Sequence, residues 1–291
     1  MSIGLFWILA QSRRAPLNGS ENRSCWFSVT LGIMLLAHKF WGKRDSRPVI
    51  ILHGLLGSSQ NWSGIGRALE RSFAVFAVDL RNHGNSPHVK GMSFSAMAKD
   101  VKTFMEEQGL VRATLIGHSL GGKVAMRFAM DYPDCVENLI IVDIAPKAYQ
   151  LHHAKAFRAM NALNLDTIQS LREADLFLQE WVPDVAMRQF LLTNLKRQKG
   201  GFEWRIHLKE LTTHLSDICK NPLLPKEDFT GATLYIAGGR SNYVSAHDRH
   251  VIVSHFPDAK ISWIDLAGHN PHVECKDAFV DEITEFMLSN H

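Results

Sequence analysis

The chain has 291 residues, 46% of them apolar, with 32 lysines and arginines against 29 aspartates and glutamates. That length supports one large domain or two small ones, and an apolar share close to the globular average excludes a disordered chain. A net charge of +3, with no run of five basic residues, offers no electrostatic footprint for nucleic acid. Cys25, Cys135, Cys219 and Cys275 are widely spaced with no C-x-x-C pair. This spacing argues against a zinc site or a disulfide framework and predicts a reduced, cytoplasmic setting.

Residues 3–10 and 26–37 are apolar, but each falls short of the ~20 residues of a membrane helix, so no stable membrane insertion is expected. Arg13 and Arg14 follow the first apolar run, whereas a signal peptide carries its basic residues ahead of it. Residues 1–33 therefore read as an extension outside the folded domain, or as sequence ahead of a true start at Met34. A mitochondrial transit peptide stays open, because Arg13, Arg14 and Arg23 face only Glu21, and a membrane anchor is the remaining alternative.

From Met34 onward, short β-rich runs recur at 49–52, 74–78, 114–116, 139–142, 233–236 and 260–264. Several are apolar at every position, as strands covered on both faces must be. Between them, Met97, Val101, Phe104 and Met105, then Val124, Phe128 and Ala129, repeat at helical spacing, as do Phe279, Ile283, Phe286 and Met287. This alternation predicts an α/β fold, a mostly parallel central sheet flanked by helices. Residues 34–145 and 230–291 are assigned to that core. Over 146–229 strand signals thin out, and three or four helices are predicted from Phe157, Met160 and Leu163, from Leu171, Leu176 and Leu178, and from Phe190, Leu191 and Leu195. That insert is expected to form a helical cap over one end of the sheet.

Three motifs fall at predicted strand ends, where such sheets hold their ligands. Gly117-His118-Ser119-Leu120-Gly121 is a G-x-S-x-G between a strand and an amphipathic helix. The pattern lifts a serine hydroxyl clear of the sheet on a sharp turn at a helix N-terminus. His53-Gly54-Leu55-Leu56-Gly57 follows the 49–52 strand, where glycine-rich backbone can present the Leu55 N–H to a developing oxyanion, with the Leu120 N–H as second donor. Ala267-Gly268-His269 follows the last strand, where this architecture delivers a histidine base. Gly117 to Lys123 also reads G-x-x-x-x-G-K, the start of a phosphate-binding loop. Val124 stands where a magnesium-binding Ser or Thr is needed, and that reading gives His53, Gly54 and His269 no role.

The segments VIILHGLLGSSQNW, VDLRNHGNSPH, IGHSLGGKVAM, IVDIAP, IAGGRSNYVS and AGHNPHVE together resemble the α/β-hydrolase superfamily. More narrowly they resemble the YbfF-type esterases and acyl-CoA thioesterases, with their mitochondrial α/β-hydrolase-domain relatives and the yeast alcohol acetyltransferases. The likeness runs from about Met34 to the C-terminus. It implies Ser119 as nucleophile, His269 as base, Leu55 in the oxyanion loop, and a helical cap that follows strand 6 of the superfamily's count. Asn270-Pro271 stands where the subgroup often has a tryptophan after the histidine, so the pocket is expected to differ in shape. The superfamily's usual acid position is occupied by Ser241. In the subgroup the acid has moved to a D-I-A-P motif, here Asp143-Ile144-Ala145-Pro146, which makes Asp143 the expected acid, with Asp248 the alternative.

His53, Gly54, His118 and, from the cap, Phe190 are assigned to the substrate pocket, with His53 also bracing the oxyanion loop. His83 and Asp79 are expected to fix a loop by hydrogen bonds. Trp181, Phe190 and Trp204 read first as cap core. His152-His153 lacks ligand-spaced carboxylate or thiolate partners, so neither metal nor cofactor is expected. The expected activity is acyl transfer through a Ser-His-Asp triad and an acyl-enzyme, cleaving a small ester or thioester. An alcohol O-acyltransferase drawing on acyl-CoA is the alternative on the same triad, and a non-catalytic binding protein of hydrolase fold is a third class. Acyl length, natural substrate and oligomeric state are not encoded in these motifs.

Overall fold

The computed structural model describes residues 34–290. The predictions about the segment 1–33 lie outside the described residues. Seven strands form one sheet: β1 (His38–Trp41), β2 (Arg47–Leu52), β3 (Phe73–Val78), β4 (Ala113–His118), β5 (Val136–Val142), β8 (Thr233–Gly238) and β9 (Lys260–Ile264). Their order is β1-β3-β2-β4-β5-β8-β9, and every pair is parallel except β1 with β3. Strand β1 was not expected. Its HKFW sequence is half-buried at an edge and lacks the continuous apolar run that marks the central strands.

The two faces of the sheet build two cores, because side chains alternate along each strand. Ile50, Leu52, Phe76 and Leu115 pack on one face with α2 (Phe94–Gln108) and α3 (Leu120–Asp131). Val49, Ile51, Val75 and Ile116 pack on the other with α1 (Ser63–Leu69) and the C-terminal helix Lys276–Ser289. Both faces are covered, which is why the central strands read as unbroken hydrophobic runs.

Between β5 and β8 lie α4 (Ala154–Ala162), α5 (Leu171–Gln179), α6 (Val185–Leu192), α7 (Leu208–Thr213) and α8 (Leu215–Ile218). The strand that enters this insert, sixth in the superfamily's count, is the fifth among the described residues. The insert also holds a hairpin, β6 (Leu195–Gln198) with β7 (Gly201–Trp204), where only helices were predicted. The helix expected through Phe190, Leu191 and Leu195 is shorter: α6 stops at Leu192, and Leu195 opens β6. Gly200 at φ 98° and Gly201 at φ 153° close the turn. Both strands carry charged residues, so their short alternation was masked. Trp181 is 38% exposed and is not cap core, while Phe190 and Trp204 pack partly buried against the core.

Candidate active site

Ser119 links β4 to α3 with φ 51° and ψ −115°, a strained backbone for any residue other than glycine. Its amide N–H donates to the Val142 carbonyl at 3.1 Å, which fastens the turn to β5. A Cβ at Gly117 would collide with the Gly121 carbonyl, and one at Gly121 would collide with that of Leu52. The G-x-S-x-G spacing is therefore dictated by backbone contact on both sides of the serine.

Asp143 directly follows β5, is fully buried, and also has positive φ, 48°. Its Oδ1 accepts from the Gly238 N–H at 3.0 Å. Its Oδ2 accepts from His269 Nδ1 at 2.7 Å and from the Ser241 hydroxyl, which makes a very short contact. Ser241 thus donates to the carboxylate that also meets His269. Asp248 is engaged elsewhere, with Lys147 at 2.6 Å and with Ser245.

His269 sits on the loop after β9. Glu274 steadies that loop by accepting from the Gly268 and Asn270 N–H groups at 2.5 and 3.0 Å. Tyr243 stacks on the His269 ring at 3.7 Å and 16° between planes. Tyr243 lines one pocket with Ser119, and His269 packs on the Tyr243 ring with its Nδ1 on Asp143. Leu55 and Leu120 line the same pocket. The Leu55 N–H has no acceptor among the described residues. Leu120 opens a helix, so its N–H has no intrahelical acceptor either.

The glycine-rich loop after β2 is held by two buried, neutral histidines. His53 donates from Nδ1 to the Gly54 carbonyl at 2.8 Å and accepts from the Leu80 N–H at 3.0 Å. His83 donates to the Arg81 carbonyl and accepts from the Leu56 N–H at 3.2 Å. Leu56 has φ 62°, and its carbonyl accepts from Asn194 of the insert between β5 and β8 at 2.8 Å. Burial pushes His53 down to about 4 and His83 to about 3, so each keeps one donor and one acceptor at neutral pH. Asp79 anchors the neighbouring turn by accepting from the Ser59 and Asn85 N–H groups at 2.6 and 2.8 Å.

His118 donates from Nε2 to the His269 carbonyl at 2.8 Å, and burial holds it well below the ordinary histidine range. It braces the loop that carries His269. Gly54 lies against both His118 and Ser119, where a Cβ would stand 2.8 Å from His118 Nδ1 and 3.3 Å from the Ser119 Cβ. None of His53, Gly54, His118 and Phe190, all assigned to the substrate pocket, is among the residues lining the pocket over Ser119, although Gly54 lies directly against Ser119. His152 and His153 do line it, although no group of histidine, cysteine or carboxylate side chains among the described residues is arranged to hold a metal ion.

Four contributors were missed from sequence: Tyr243, Tyr149, His272 and Lys123. The Tyr149 hydroxyl accepts from the Ala145 N–H and donates to the Tyr243 carbonyl, both at 2.8 Å, which fixes the ring that covers His269. His272 stacks on Trp62 at 4.0 Å, and burial drives it down to about 3. A tyrosine two positions beyond Ser241 was the only available signal.

A family model described as alpha/beta hydrolase fold matches residues 47–274. The chain belongs to the α/β-hydrolase fold family. It is 38% identical over 247 residues to the sn-1-specific diacylglycerol lipase ABHD11 of Mus musculus, covering 82% of this chain and 80% of that one. It is 33% identical over 246 residues to the esterase YbfF of Escherichia coli, covering 84% and 94%. A solved structure, a marine microorganism esterase, superposes with a TM-score of 0.84 at 34% identity, over 87% of this hydrolase-fold chain and 99% of the other. Among the described residues no helix is long and apolar enough to cross a membrane.

Proposed function

We propose that this protein is a serine hydrolase that cleaves carboxylic esters or acyl thioesters by way of an acyl-enzyme on Ser119. The observation that carries the reading is the contact of His269 Nδ1 with Asp143 Oδ2, the His269 ring stacking on Tyr243, which lines the same pocket as Ser119. Ser119 attacks the acyl carbonyl while His269 Nε2 takes the hydroxyl proton, and buried Asp143 stabilises the imidazolium that forms. The Leu55 and Leu120 N–H groups receive the charge on the carbonyl oxygen. A donor of this kind contributes about 2.7–4 kcal/mol to the transition state. His269 then protonates the leaving alcohol or thiol, and a water activated by the same ring releases the acid.

Ile144 and Ile218 line the pocket beside Ser119 and supply apolar wall for an acyl chain. The named activities of the mouse and bacterial relatives, diacylglycerol lipase and esterase, support an ester as substrate. A screen over p-nitrophenyl esters and acyl-CoAs, with and without ethanol, tests the proposal. Acid release that disappears in Ser119→Ala supports it, and ester formed from added ethanol would reassign the acyl acceptor from water to alcohol. Absence of turnover on every ester and thioester, with no acyl-Ser119 formed, would overturn it.

A further inference from the structure

Lys123 lies one helical turn after the nucleophile, and its N–H donates to the Ser119 carbonyl at 3.1 Å. The residue is 2% exposed, yet no carboxylate among the described residues reaches its ammonium. A buried ammonium without a counter-ion is costly. Burial pulls it down to about 8. Its protons go instead to three successive carbonyls at the end of α8: Ile218 at 3.3 Å, Cys219 at 3.0 Å and Lys220 at 2.6 Å. These are groups that a helix C-terminus leaves without intrahelical donors. The Tyr149 ring lies 4.9 Å from the ammonium, and the Tyr149 N–H donates to the same Cys219 carbonyl at 2.8 Å. Lys123, Ile218, Cys219 and Ser119 all line one pocket.

We propose that Lys123 is a positioning residue for substrate choice, tying the cap segment from Ile218 to Lys220 onto the nucleophile helix and so fixing the wall that limits the acyl chain. This rests on the acyl-transfer reading above and adds the residue that sets chain length. The tie joins two parts of the chain with no peptide continuity near the site, the last helix of the insert and the first turn after Ser119. An apolar side chain in its place would fill the volume but leave the Ile218 and Lys220 carbonyls without a donor, and the Cys219 carbonyl with the Tyr149 N–H alone. The segment would then move outward toward water, taking Ile218 with it and lengthening the pocket.

The test is steady-state hydrolysis of p-nitrophenyl esters from acetate to dodecanoate by wild type, Lys123→Met, Lys123→Arg and Ile218→Ala. In Lys123→Met the ratio of kcat/KM for octanoate over butyrate should rise at least fivefold, mostly through KM. Labelling of Ser119 by a small fluorophosphonate should change less than that ratio, and Lys123→Arg should return it toward wild type. A Lys123→Met profile parallel to wild type would overturn the proposal while leaving the hydrolase reading intact. If Lys123→Met lacks a cooperative melt, Ile218→Ala decides: a raised ratio supports the wall, and a flat one overturns it. A wild-type protein that neither turns over esters nor takes the probe would overturn the hydrolase reading and this proposal together.

Discussion

Replacing Asp143 by asparagine probes the displaced acid, and the surrounding donors dictate how the amide must lie. The Gly238 N–H points at Oδ1 from 3.0 Å, so the amide oxygen stays there and the NH2 takes the place of Oδ2. That NH2 then faces His269 Nδ1, which must give up its proton and become an acceptor. The proton moves to Nε2, and the ring can no longer accept one from Ser119. The Ser241 hydroxyl reverses to accept from the NH2, which stabilises the wrong arrangement. In serine proteases this tautomer costs about 10⁴ in kcat, equivalent to about 5.5 kcal/mol of barrier.

Adding Ser241→Asp to Asp143→Asn places a carboxylate where the Ser241 hydroxyl now touches Oδ2, within reach of Nδ1. Recovery of about 10- to 100-fold is expected, and it stays incomplete because a small misplacement weakens the new contact. The assay is kcat/KM on the preferred p-nitrophenyl ester, with circular dichroism melts confirming folded protein. Asp248→Asn is the control, expected within about threefold of wild type because its partners are Lys147 and Ser245. A near-wild-type Asp143→Asn enzyme would refute the reasoning. An inactive Asp143→Asn with no rescue would retain Asp143 and reject only the geometry drawn for position 241.

Acid should unfold this protein early. His53, His83 and His272 are buried and neutral, with values of about 4, 3 and 3 against an unfolded value of 6.5, so they stabilise the fold above pH 6.5 and that stability is lost as pH falls. At pH 5 each costs about 2 kcal/mol, and about 6 kcal/mol in total is a large share of a typical 5–15 kcal/mol. Urea melts from pH 7.5 to 5 should show it, and a midpoint independent of pH would contradict it. Gly121→Ala should lower Tm by about 4–12 °C by scanning calorimetry, because the new methyl meets the Leu52 carbonyl at a cost of about 2–3 kcal/mol. An unchanged Tm would mean the elbow is less tightly packed than described.

The central strands and the three motifs were legible because each rests on local chemistry. Unbroken apolar runs mark strands buried on both faces, and glycines flank a serine where backbones touch. The partnership of Asp143 with His269 was reached through resemblance, since nothing local links residues 126 positions apart. Strand β1 and the cap hairpin escaped because half-exposed strands with charged residues lack a clean period. The Ser241 and Lys123 contacts escaped for another reason. A hydroxyl on a carboxylate and an ammonium on three carbonyls are tertiary events, and a sequence shows neither partner's approach.

The proposed chemistry requires Ser119 to be an activated nucleophile. The direct measurement is mass-spectrometric mapping of a fluorophosphonate adduct on the purified protein, with Ser119→Ala and with EDTA present. A single adduct on Ser119, lost in Ser119→Ala and unaffected by EDTA, is predicted. Labelling that persists in Ser119→Ala, or that EDTA abolishes, would contradict it.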